Sequence, residues 1–135
     1  MYLGLINDKC KSLFLGLAQK LVKADHVVDA AEKEMIDQYA FEMGIDVVVP
    51  HKDFNSLLDD INQLASDQEK RIIVFELMGL AVADNVYAPE EQKMMSLVAQ
   101  RFLISSEEMT RLAEMIKQYY EFVKNTHDFI FTNSK

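Results

Sequence analysis

Residues 21–45 recur in kind and spacing 59 positions further along the chain. The identities are Leu21/Leu80, Ala24/Ala83, Asp25/Asp84, Val27/Val86, Glu32/Glu91, Met35/Met94, Ala40/Ala99 and Ile45/Ile104. Further on, the match continues with a shift of 55, pairing Phe54/Met109, Leu57/Leu112, Leu58/Ala113 and Ile61/Ile116. The change of shift places a four-residue insertion in the connector Val47–Lys52. Chance likeness between amphipathic helices would put the matches on apolar stripes. Here the shared Ala-Asp and Glu fall between the stripes. A duplicated unit of this length predicts two three-helix repeats about a pseudo-twofold axis, over residues 8–66 and 67–126 of a single domain, 1–126. Residues 127–135 follow as a C-terminal tail.

The apolar spacing within each unit is helical, in steps of three and four. Cys10, Leu13, Phe14, Leu17, Ala18, Leu21 and Val22 predict a first helix over about 8–24. Glu32, Met35, Ile36, Tyr39, Ala40 and Met43 mark a second, which stops before Gly44, a good C-cap residue. Val47-Val48-Val49-Pro50 is β-branched and precedes proline, so it reads as an extended connector. Phe54, Leu57, Leu58, Ile61, Leu64 and Ala65 give a third helix, with Asp53 as its cap. Ser66-x-x-Glu69 and Ser105-x-x-Glu108 are capping boxes that open the fourth and sixth. Residues 72–83 are apolar all round except Glu76, the pattern of a central helix. Pro89 suits the first position of the fifth, which carries Met94, Met95, Val98, Ala99 and Phe102. The sixth runs through Met109, Leu112, Ala113, Ile116, Tyr119, Tyr120 and Val123. The expected fold class is all-α.

Composition narrows the function classes. One cysteine among 135 residues excludes a disulfide framework and a four-cysteine zinc site, and suits a reducing cytoplasm. No stretch has the length and apolarity to span a bilayer, since the longest, Ile72–Ala83, is interrupted by Glu76. The net charge is −8. Residues 1–24 hold four lysines against Asp8, leaving 10 basic and 21 acidic residues in the rest. Binding to phosphates needs clustered Lys and Arg, so neither nucleic acid nor membrane insertion is expected.

The chemistry-bearing candidates are the acids of the repeated loop: Asp25, Asp29 and Glu32 in the first copy, and Asp84, Glu90 and Glu91 in the second. Two readings stand side by side. As caps, the Asp side chains satisfy helix-end N–H groups, and Asp29-x-x-Glu32 has the spacing of a capping box. As ligands, four to six carboxylates brought together by the pseudo-twofold axis would repel one another unless a hard cation such as Ca²⁺ or Mg²⁺ neutralised them. The pattern Ala-Asp-Gly followed by Glu in the next helix, present in both halves of a small helical domain, resembles the tellurite-resistance TerB family and its TerB-like relatives. That resemblance covers about residues 10–120, with His26 and Asn85 standing where the family has glycine. It implies a pseudo-symmetric helical fold and an acidic cluster with proposed divalent-metal binding, at Asp25, Glu32, Asp84 and Glu91. It also implies a bacterial stress-response setting without a known enzymatic reaction.

Other residues carry less. His26, His51 and His127 are too scattered for a zinc site, Cys10 lies on an apolar stripe, and the eight methionines fall mainly at core spacings. No nucleophile triad, phosphate loop or H-E-x-x-H motif is present. Glu76 is expected at the solvent edge of its helix, or beside a Lys or Arg. Phe129, Ile130 and Phe131, without a helical pattern of their own, are expected to dock back into a groove or to engage a partner. The reading is a non-enzymatic TerB-like interaction module in the cytoplasm with protein partners. The alternative is a plain helical adaptor that binds through an apolar groove or its tail, its acids purely structural.

Overall fold

The computed structural model describes residues 1–24, 28, 30–83 and 87–132. Among them are six α-helices and no strand: α1 (Asp8–Val22), α2 (Ala30–Met43), α3 (Phe54–Leu64), α4 (Asp67–Ala81), α5 (Pro89–Arg101) and α6 (Ser106–Phe131). A short 3-10 turn at Leu3–Leu5 precedes them. The fold is all-α. Helices α1 and α4 pack on each other at the centre; α2 and α3 flank α1, while α5 and α6 flank α4. Phe14, Leu17, Leu21, Leu58, Ile61, Ile73, Leu77 and Leu80 fill the space between them, all fully buried. Gly16 lets α3 approach α1, since a Cβ there would meet Leu57 Cδ1 at 3.1 Å.

The helix starts follow the local rules read from the sequence. Asp53 accepts from the Ser56 N–H at 2.8 Å at the head of α3. Ser66 and Glu69 form a reciprocal box at α4, and Ser105 and Glu108 do so at α6. Glu69 does more than its box requires. Its carboxylate also accepts from the Asn7 backbone N–H at 2.6 Å and from Asn7 Nδ2 at 3.1 Å, while Asn7 Oδ1 caps α1 through the Cys10 N–H. Two helix N-termini are thus knotted through one Asn–Glu pair. Those hydrogen bonds, led by the Ser66 N–H, hold the Glu69 carboxyl below its ordinary range.

Two helix ends share one geometry. At the end of α2, the Ile45 N–H reaches back to the Ala40 carbonyl at 3.0 Å and Gly44 has φ 71°. At the end of α5, the Ile104 N–H reaches Ala99 O at 2.9 Å and Leu103 has φ 59°. Both are Schellman ends, with the isoleucine packed against the core. Leu103 occupies the left-handed region that glycine takes at the other end, with its side chain 89% exposed. A leucine there is strained by about 1–2 kcal/mol. Leu103→Gly should therefore stabilise the protein by about 0.5–1 kcal/mol, after the added freedom of the unfolded chain is subtracted. A chemical-denaturation midpoint checks this, and a lower midpoint for Leu103→Gly would sink it.

Two expectations need correction. Glu76 does not reach the solvent edge and meets no Lys or Arg. It is 5% exposed, and its Oε2 accepts from the Met1 amino group at 2.9 Å and the Tyr2 N–H at 2.8 Å. Glu42 takes the Leu3 N–H at 3.1 Å and also meets the Met1 amino group. Although burial opposes its charge, contacts with Glu76 and Glu42 keep that amino group's pKa raised. The first residues are strapped to α2 and α4 by two carboxylates. Phe129, Ile130 and Phe131 are also placed differently: they form no separate tail docked in a groove. Helix α6 continues unbroken to Phe131, and these three side chains are exposed.

Candidate functional site

Of the six loop acids, the structure describes three. Glu32 lies in the first turn of α2 and Glu91 in the first turn of α5, where an anion meets the positive end of the helix dipole. Both are buried, 6% and 3% exposed, at positions 59 apart. Glu91 Oε1 accepts from the Ala88 N–H at 3.1 Å, the half of a capping box that an alanine at the cap position still permits. Glu90, one residue earlier and so turned about 100° around the helix, is exposed. Asp25, Asp29 and Asp84 lie outside the described residues, as does His26. Among the described residues, no group of three or more His, Cys, Asp or Glu is placed to hold a metal ion.

Close to Glu91 the structure opens an apolar cleft between α4, α5 and α6, of about 610 Å³. Its floor is Met78 of α4 and Val82 at that helix's C-cap, Met95 and Ala99 of α5, and Met109 and Ala113 of α6. Polar groups line the mouth: Ser96 and Gln100 on one side, Ser106, Thr110, Glu114 and Lys117 on the other. The cleft follows from side-chain size. Ala99 of α5 and Ala113 of α6 both line it, and their small side chains leave volume that larger residues would fill. The Schellman end at Phe102–Ile104 then turns the chain, bringing α6 back along α4, where the Tyr120 hydroxyl donates to Gly79 O at 2.8 Å. The Arg71–Glu108 ion pair at 3.1 Å holds the start of α6 to α4.

Tyr87 links cleft and loop. It lines the cleft, and burial, followed by the negative charge of Glu91, pushes its phenol up to about 12. At neutral pH it keeps its proton and offers a donor at the edge of an apolar wall. The cleft's volume is in the usual range for ligand sites, and its composition, apolar with a few polar groups at the rim, is that of a recognition surface. Three unbranched methionine side chains make it adaptable in shape. Cys10 is fully buried on α1, with its thiol pushed up by burial, so it is held as a packed thiol rather than a thiolate. His51 and His127 are both exposed.

By their spacing these methionines read as packing residues, and that spacing locates no groove. Met78 and Met95 are indeed buried, at 2% and 1% exposure, yet they also form the cleft floor. The available signal is the pair of small residues, Ala99 and Ala113, each on the apolar stripe of its own helix. Among the described residues, no helix is long and apolar enough to cross a membrane. Comparison with protein-family models, with curated proteins and with solved structures returned no match.

Proposed function

We propose that this protein is a non-enzymatic helical interaction module, whose α4–α5–α6 cleft takes the apolar anchors of a partner's amphipathic helix. The cleft itself carries the reading: a methionine-floored groove between helices, with serine, threonine and glutamine at its mouth, suits helix-in-groove recognition. Panning a library of helical peptides tests it. Wild-type protein should enrich sequences with apolar residues at i, i+3 or i+4, and i+7. Ser96→Trp, which sets an indole at the mouth from an exposed position, should reduce binding of those peptides at least tenfold. No enrichment, or enrichment indifferent to Ser96→Trp, would refute the cleft as the binding site.

The likeness to the TerB family supports a second reading, a stress-response module that binds a divalent cation through its loop acids. The observation in its favour is the burial of Glu32 and Glu91 at equivalent positions, each in the first turn of its helix. The same pairing, with the matched Schellman ends at Gly44 and Leu103, supports reading the two halves as copies of one three-helix unit. A cation that binds only the folded state raises the melting midpoint by mass action. Metal-stripped protein should then melt several degrees higher in millimolar Ca²⁺ or Mg²⁺, with the gain absent in Asp25→Asn/Asp84→Asn. An unchanged midpoint would leave the acids as helix caps.

A further inference from the structure

Beyond Tyr120, α6 leaves the body of the protein and carries its apolar side with it. Leu112, Met115, Tyr119, Phe122, Thr126 and Phe129 follow one another at alternating steps of three and four, the spacing of a coiled-coil seam. Val123 and Ile130 widen the stripe. Ile116 is the last buried residue of the helix; Met115, Tyr119, Phe122, Val123, Phe129 and Ile130 are all exposed. The near end of the stripe runs into a recess of about 210 Å³ between α4 and α6, with Val74, Ile104, Leu112 and Met115 as its apolar walls and Arg71, Glu108 and Arg111 as its charged ones. One face of one helix therefore carries a projecting aromatic, Phe129, and beside Leu112 a socket of apolar side chains and arginine stems, separated by a helical rise of roughly 26 Å.

We infer that this face pairs with the same face of a second copy, antiparallel, each Phe129 seated in the other's recess. A two-fold interface needs a patch that contains its own complement, and a knob and a socket on one stripe meet that need. The register aligns Leu112 with Phe129, Met115 with the smaller Thr126, and Tyr119 with Phe122, every layer occurring twice. The exposed side chains offer on the order of 700 Å² per copy, close to the roughly 800 Å² that each partner contributes to a standard stable interface. Charge does not oppose the pairing even in a chain of net charge −8. Arg111, Gln118 and Asn125 flank the seam, and the register sets Arg111 across from the apolar Ile130 of the second copy, whereas Glu114, Lys117, Glu121, Lys124 and Asp128 fall on the rest of the helix circumference. The same distribution disfavours a lipid surface, since a helix that lies on one carries a Lys/Arg-rich polar face. The α4–α5–α6 cleft uses Ser106, Thr110, Ala113 and Lys117, on the opposite side of α6, so pairing leaves it open.

Sedimentation of the whole chain between about 1 and 100 µM tests the pairing. The wild type should be a dimer at the upper end. Phe122→Glu and Phe129→Glu should each weaken dimerisation at least a hundredfold with unchanged far-UV circular dichroism, and Lys124→Glu should have no such effect. Spin labels at Phe131→Cys should report a separation near 30 Å, as the rise per residue requires for antiparallel helices, rather than the short distance of a parallel pair. A monomeric wild type at 100 µM would overturn the inference, the more clearly if that monomer bound vesicles of anionic lipid. A dimer insensitive to both Phe→Glu changes would overturn it as well, and a short label distance would overturn the seating of Phe129.

Discussion

Glu76→Ala should lower the free energy of unfolding by about 3 kcal/mol, the largest loss expected from any single polar residue described here. The carboxylate is buried on α4 and serves two donors, the Met1 amino group and the Tyr2 N–H. Its removal leaves the Tyr2 N–H without its acceptor and the amino group with Glu42 alone. An unmet donor costs roughly 1–3 kcal/mol, less where it is part-buried as here, and the loss of the charge's nearest partner and of the side-chain packing on α4 adds to that. The effect should spread along the strap, because Leu3 and Ile6 are buried only while residues 1–6 lie against α2 and α4. Glu76→Gln keeps an acceptor for Tyr2 and should lose about half as much. Urea titration at neutral pH measures both, and a Glu76→Ala loss below about 0.5 kcal/mol would mean that the strap contributes little to stability.

Glu69→Gln should cost about 2 kcal/mol at pH 7, with a pH dependence that identifies the cause. The Glu69 carboxyl is held below its ordinary value by the Ser66 and Asn7 donors. A depressed folded-state pKa gives stability that is fully present above the unfolded value, near 4.3, and is lost as pH falls through the folded pKa. The gap between wild type and Glu69→Gln should therefore be widest at neutral pH and close progressively below about pH 4. Asn7→Ala should show a similar loss, because Asn7 both caps α1 and donates to Glu69. A gap that stayed constant from pH 7 to pH 3 would assign the loss to packing rather than to the charged cap.

The contrast between Glu69 and Glu76 shows which parts of this fold can be read from the chain alone. Glu69 announces itself through Ser66, three residues away, and so do Glu108 and Asp53 through Ser105 and Ser56. Their partners are local, and local geometry follows from spacing. Glu76 is satisfied by backbone groups 74 and 75 residues away, on a segment with no charged side chain to betray the contact. Leu103 hid for another reason: leucine disfavours positive φ, and only its alignment with Gly44 across the repeat points to the turn. The end of α6 is hard to read because Phe129, Ile130 and Phe131 show no helical pattern by themselves. The three-and-four spacing of Leu112–Phe129 crosses the expected boundary at Thr126 without a break. The cleft was the least legible element, since a groove depends on residues too small to fill it.

The most direct test of the cleft uses the methionines themselves. Of the eight, Met78, Met95 and Met109 line the cleft, Met1, Met35, Met43 and Met94 lie elsewhere, and Met115 lies on the α6 stripe. Protein labelled at the methionine methyls would be titrated with an amphipathic peptide selected on the wild type. The resonances of Met78, Met95 and Met109 should move together and saturate, while those of Met1, Met35 and Met43 stay in place. Shifts confined to Met115, or no shift at the three cleft methyls when the peptide is bound, would contradict the account.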